Sequence, residues 1–139
     1  MTEDNREANA VDELARGGQS LDAAATLIAA GLHADAVSRA YYGAYHHLRA
    51  LLYSRGLEPR SHAGALHLLN VEFIRPGVLA SANNRLLSGL QRSRELADYD
   101  PAVLFSADDA QVALDDARAF AAEVRRMLKA AGIAPPGRG

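Results

Sequence analysis

The chain has no cysteine, no tryptophan, few β-branched residues and no long apolar run. Each absence excludes something. Without cysteine there can be no disulfide framework and no thiolate metal site, and the composition suits a reducing compartment. Few Val, Ile and Thr beside abundant Ala, Leu, Arg, Glu and Asp disfavour strands and favour helices, so the expected class is all-α. No apolar segment approaches the roughly 18 residues that span a bilayer, and no basic-then-apolar signal opens the chain. A cytoplasmic location without membrane contact is therefore expected. Fifteen Lys and Arg against 17 Asp and Glu leave a net charge of −2, so any basic surface must be local. A length of 139 residues fits a single domain, residues 1–139, with its core at about 5–131 and a disordered tail at 132–139.

Helical periodicity runs through most of the chain. Val11, Leu14, Gly18, Leu21, Ala25 and Ile28 recur at steps of three and four, which predicts one long first helix ending at Gly31. Gly17 and Gly18 each cost a helix interior roughly 1 kcal/mol against Ala. A break there, with Ser20 as a new N-cap, is the competing reading. In the continuous helix, a glycine on the seam lets a second helix approach closely. The second helix starts near His33 to Asp35 and runs to Gly56. Ser61 caps a third, extending to about Ile74, with Ala65, Leu68, Leu69 and Ile74 inward. A fourth spans Ser81 or Ala82 to Tyr99, its apolar side marked by Leu86, Leu87, Leu90 and Ala97 and interrupted by Arg94. Pro101 then ends it. Ser106 and Asp109 form a capping box for a last helix, with Val112 or Ala113, Ala117, Phe120, Val124 and Met127 or Leu128 inward. Short connections predict an up-and-down bundle of about five helices.

The densest chemistry lies in SRAYYGAYHHLRALLYSR, Ser38 to Arg55. Arg39, Tyr42, His46 and Arg49 recur at three, four and three, placing two guanidiniums, a phenol and an imidazole on one stripe beside the apolar one. Tyr41 and Tyr45 fall on the core side. An Arg followed by six residues and a His suits metal-free phosphodiester chemistry, but that spacing occurs three times, at Arg39/His46, Arg55/His62 and Arg60/His67. Only the first pair lies within one predicted helix. The second cluster is RELADYD, Arg94 to Asp100, in which Arg94 and Asp98 form an i, i+4 pair next to Tyr99. An Arg on an apolar stripe needs a partner there. His62 and His67 are five apart with no carboxylate to complete a ligand set, so no metal site is expected.

These stretches together resemble the HEPN domain family, in the form of its small stand-alone members. The resemblance rests on AAGLHADAVSRAYYGAYHHLRALL from Ala29 to Leu52, on Ser61 and His62 opening the next helix, and on RELADYD followed by an amphipathic helix. It implies a helical bundle that forms a homodimer, a nucleotide or RNA ligand, no cofactor, and a minimal nucleotidyltransferase partner in a toxin–antitoxin pair. Family members that cut RNA carry an Arg, then four to six residues, then a His, often followed by a Tyr one residue later. Here Arg94 matches the Arg and Tyr99 the Tyr, but Asp98 stands where the His belongs, and a carboxylate is repelled by phosphate and is a poor acid at neutral pH. The expected nucleotide- or RNA-binding residues are Arg39, Tyr42, Arg94, Asp98 and Tyr99. His46 with Arg94 are the expected catalytic pair should the chain be a metal-independent ribonuclease. A purely structural dimerisation module is the remaining alternative.

Overall fold

The computed structural model describes residues 2–134. Within them the order is α1 (Glu3–Ala29), α2 (His33–Ser54), α3 (His62–Leu69), a π-helical turn (Asn70–Ile74), α4 (Ala82–Tyr99) and α5 (Ala107–Ala130), with no strand among the described residues. The fold is all-α with five helices, as the composition predicts. Helix α2 is the hub, packing against α1, α5, α4 and α3.

Local signals set the helix ends. The Thr2 side chain accepts the Asn5 N–H to start α1, and the Ser61 hydroxyl accepts the Gly64 N–H to start α3. The capping box at α5 forms in full: Ser106 and Asp109 each accept the other's backbone N–H, at 3.0 and 2.9 Å. Helices α1 and α2 close alike. Gly31 and Gly56 adopt φ of 79° and 73°, and the next residues, Leu32 and Leu57, return backbone bonds to Leu27 and Leu52. The three-residue link after α1 therefore turns α2 straight back onto it.

Helix α1 passes through Gly17 and Gly18 without a break at Ser20. The reason is contact with α2. A Cβ on Gly17 would sit 2.5 Å from His47 Nδ1 and 3.2 Å from the Gly43 carbonyl oxygen, and one on Gly43 would overlap the Leu21 side chain. Two glycines thus let the backbones meet. The glycine on this seam is Gly17; Gly18 is only half-buried, and the stripe that packs inward is Ala10, Leu14, Gly17, Leu21 and Ala24, which keeps Leu14 and Leu21 of the expected one and takes the residue before Val11, Gly18 and Ala25.

The third helix is shorter than its sequence suggests. Regular α-helix stops at Leu69, and a π turn closed by the Arg75 N–H on the Asn70 carbonyl carries the chain on to Ile74. The wider turn puts Phe73 fully into the core, where the Arg55 guanidinium lies 4.3 Å from its ring centroid. In α5 it is Ala113, not Val112, that is buried. Of the tail expected at 132–139, only 132–134 lie within the described residues, and Ile133 there is buried.

Beneath Gly17 lies a polar clamp. His47 is fully buried; its Nδ1–H donates to the Gly43 carbonyl at 2.7 Å, so Nε2 accepts from Arg125 Nε at 3.0 Å. Arg125 Nη2 also donates to the Leu14 carbonyl at 2.9 Å. One imidazole and one guanidinium thereby tie α1, α2 and α5. Burial holds His47 down at about 4; the Gly43 bond opposes this, and Arg125 and His46 add to it.

Two predictions follow from this core. Gly17→Ala forces a methyl into the His47 ring and costs roughly 1–3 kcal/mol, whereas Gly89→Ala, in open space within α4, gains up to about 1 kcal/mol. Urea denaturation measures both. A folded-state His47 below its ordinary 6.5 contributes stability that is complete above that value and is lost as pH falls toward about 4. The loss is on the order of 3 kcal/mol, and unfolding curves across this window should flatten in His47→Gln.

Candidate functional site

The stripe expected along α2 divides at the level of tertiary structure. Its first half faces α4 and α3; its second half faces α1.

In the first half, Tyr41 and Tyr42 are neighbouring rings on α2, 5.2 Å apart and edge to face. Arg94 reaches in from α4, its guanidinium carbon 5.5 Å from the Tyr41 centroid, 5.4 Å from Tyr42 and 5.8 Å from Tyr99. Three phenol rings surround one cation. Arg39 takes the other approach to Tyr42, at 5.7 Å. Asp98 offsets the local positive charge: Oδ2 lies 3.2 Å from Arg94 Nε and Oδ1 accepts the Ser38 hydroxyl at 2.5 Å, pinning α4 to α2. The Arg94 Nε–H is sealed from solvent without a hydrogen bond, so its contact with Asp98 is electrostatic. An open cleft of about 450 Å³ adjoins, lined by Leu27, Asp35, Ser38, Arg39, Tyr42 and Asp98. Tyr99 stands 73% exposed at the end of α4.

The same face continues onto α3. The His62 ring stacks on Tyr45 at 4.2 Å and on Tyr41 at 5.6 Å, and its Nδ1 hydrogen-bonds the Tyr41 hydroxyl. Burial, with a smaller push from Tyr45, moves the Tyr41 phenol far above its usual value, and Arg94 only partly opposes this. Tyr41 therefore keeps its proton. Further along α2, Arg49 lies 5.9 Å from the Tyr45 centroid and 5.3 Å from Tyr53, donating to the Tyr53 hydroxyl at 2.5 Å.

His46 belongs to the other half. Its Nδ1 sits 2.7 Å from Oε2 of Glu13, an α1 carboxylate whose side chain is 6% exposed, while Arg49 and Arg16 approach the second oxygen at 3.9 and 3.8 Å. Burial alone would raise Glu13, but the His46 hydrogen bond and the charges of Arg49, His46 and Arg16 outweigh it and hold the carboxyl below its ordinary value. The structure thus groups Arg39, Tyr42, Arg94, Asp98 and Tyr99 at one place and sets His46 apart, against Glu13 of α1. His62, Tyr41 and Ser38 join the group from outside the expected set. Their partners come from different helices, so no spacing in the sequence could have announced them; the one trace was Ser61 and His62 together at a helix start. Among the described residues, no three His, Asp or Glu side chains gather as metal ligands, and no helix is long and apolar enough to cross a membrane.

An all-helical bundle with an Arg-centred polar cluster on α2 and α4 defines a class that comparison resolves. The HEPN domain profile matches residues 10–127, and the chain belongs to this family. It is 30% identical over 111 residues to a provisionally named toxin of Methanocaldococcus jannaschii, covering 80% of this chain and 82% of that one. It is 34% identical over 110 residues to a UPF0332 protein of Gloeobacter violaceus, covering 78% and 87%, and 25% identical over 114 residues to one of Thermotoga maritima, covering 82% and 86%.

Removing His46 leaves Glu13 buried and short of its closest partner. His46→Ala should cost roughly 1–3 kcal/mol in urea unfolding at neutral pH, and Glu13→Gln in the same background should recover part of it.

Proposed function

We propose that this HEPN protein binds a nucleotide or a short single-stranded stretch of RNA along α2 and acts as the toxin-like member of a pair with a minimal nucleotidyltransferase, as a homodimer in the cytoplasm. The observation that carries the reading is the alternation of guanidiniums and phenol rings. Arg39 and Tyr42 of α2 and Arg94 and Tyr99 of α4 interleave beside the open cleft, each Arg within 6 Å of at least one ring centroid. Rings offer stacking surfaces that tolerate any base, and guanidiniums meet phosphates; interleaved, they suit a single strand. A net charge of −2 does not oppose this, because the cations are concentrated locally. The toxin names of two relatives support the toxin-like part of the reading. With Asp98 held by Ser38 and Arg94, RELADYD supplies no acid of its own, so binding takes precedence over cleavage by this segment.

The Ser38–Asp98–Arg94 bridge favours one second reading, a structural module in which Arg94 only joins α4 to α2. Salt dependence separates the two. Two phosphate-contacting arginines, Arg39 and Arg94, predict a slope of log K against log salt of about −1.4 for a short RNA, shallower by about 0.7 in Arg39→Ala and in Arg94→Ala. Fluorescence anisotropy from 50 to 200 mM salt measures it. Absence of binding together with a lowered melting temperature for Arg94→Ala supports the structural module.

A further inference from the structure

Two imidazoles lie near this face, and they are held in opposite ways. His46 Nδ1 is bound to the buried Glu13 on α1. The half-buried His62 is bound through Nδ1 to the Tyr41 hydroxyl, and its Nε2 has no hydrogen-bond partner among the described residues and is not sealed from solvent. Arg94 and His62 flank the same ring, 5.5 and 5.6 Å from the Tyr41 centroid, while Arg49 stands over Tyr45, on which His62 stacks.

We propose that His62 is the second phosphate-binding side chain of the Arg94 site, presenting Nε2–H to a phosphate oxygen, and that Tyr41 is the positioning residue that fixes this tautomer. The inference rests on the nucleotide- or RNA-binding reading and names the group that completes it. In neutral imidazole, the hydrogen bond at one nitrogen decides which nitrogen carries the proton. A neutral phenol is a better donor than acceptor, so with Tyr41 at Nδ1 the favoured arrangement makes Nδ1 the acceptor and Nε2 the donor. The groups facing His62 are Tyr41, Tyr45 and Arg49 from α2 and Arg94 from α4, with Glu95 near Tyr41 and Glu13 near Tyr45. Burial, Arg94 and Arg49 hold the imidazole below its ordinary value, so the ring is neutral in the free protein at pH 7. A phosphate bound at Arg94 and His62 reverses the local field and favours the imidazolium. The new proton goes to Nδ1, and the Tyr41 hydroxyl turns from donor to acceptor. The bound state then holds more protons than the free state, so affinity must rise as pH falls.

The test is anisotropy of a labelled 2′-O-methyl uridine tetramer with the full chain at pH 7.5 and 5.5. The probe has no free 2′-hydroxyl to react, and its phosphodiesters keep a fixed charge across this range. Wild type should bind at least about threefold tighter at pH 5.5. His62→Gln should lose that gain and bind more weakly, while His46→Gln should keep it. Long-range 15N spectra of the histidine rings should show His62 as the Nε2–H tautomer in wild type and shift it toward Nδ1–H in Tyr41→Phe. The inference is overturned if His62→Gln matches wild type at both pH values while Arg94→Ala loses binding; the binding reading then stands without it. An Nδ1–H tautomer in wild type overturns it as well, whatever the stability of the variants. If wild type does not bind the probe at either pH, the binding reading and this inference fall together.

Discussion

The structure depends on how closely α1 and α2 approach. Gly17 and Gly43 remove the side chains that would hold the two backbones apart, and His47 fills the space that remains, bonded to Gly43 and, through Arg125, to α5. This contact fixes the rotation of α2 about its axis. Rotation, in turn, decides which of the α2 side chains face α4 and which face α1, and so decides the make-up of the site.

From that rotation the division of the polar stripe follows. A helix places residues three and four apart on one face, but a stripe three turns long on a helix packed by several neighbours does not meet one partner. Arg39 and Tyr42 meet Arg94 and the Ser38–Asp98 bridge of the α4 contact; His46 and Arg49 meet Glu13 of α1. The two halves have different electrostatics. At the α1 end, a buried carboxylate is compensated by cations and the group is closed on itself. At the α4 end, Asp98 stands among Arg39, Arg94 and three phenol rings beside an open cleft that Asp35 also lines, leaving guanidinium and aromatic surface toward solvent. An anion with a planar ring suits the second place and not the first.

Much of the fold was legible from residues alone. The helix at Ser106 announced itself through its capping box, α1 through its unbroken phase, and the end of α2 through Gly56. Where the reading slipped, the cause was geometric. The seam ran through Gly17 and not Gly18 because positions three and four beyond Leu14 lie on either side of it, about 60° and 40° away, and periodicity at those steps accepts either. The π turn after Leu69 was invisible because nothing in NVEFI demands it; burial of Phe73 against the core does. Within the site, Arg94 was marked in advance by being a charge on an apolar stripe, and Tyr42 by lying off the core side. His62 carried no such mark.

By itself the sequence determined the all-α class, the helix ends other than that of α3, the family resemblance and the presence of a charged residue where an apolar one was expected. These are local properties, set by propensity, capping and periodicity within a few residues of each other. Only the tertiary structure decided that Arg94 is surrounded by Tyr41, Tyr42 and Tyr99, that His46 is held by Glu13, and that Tyr41 holds His62 from 21 residues away. Those pairings depend on the crossing of separate helices, and a crossing is fixed by side-chain volume at the contact, where two glycines and one buried imidazole set the distance.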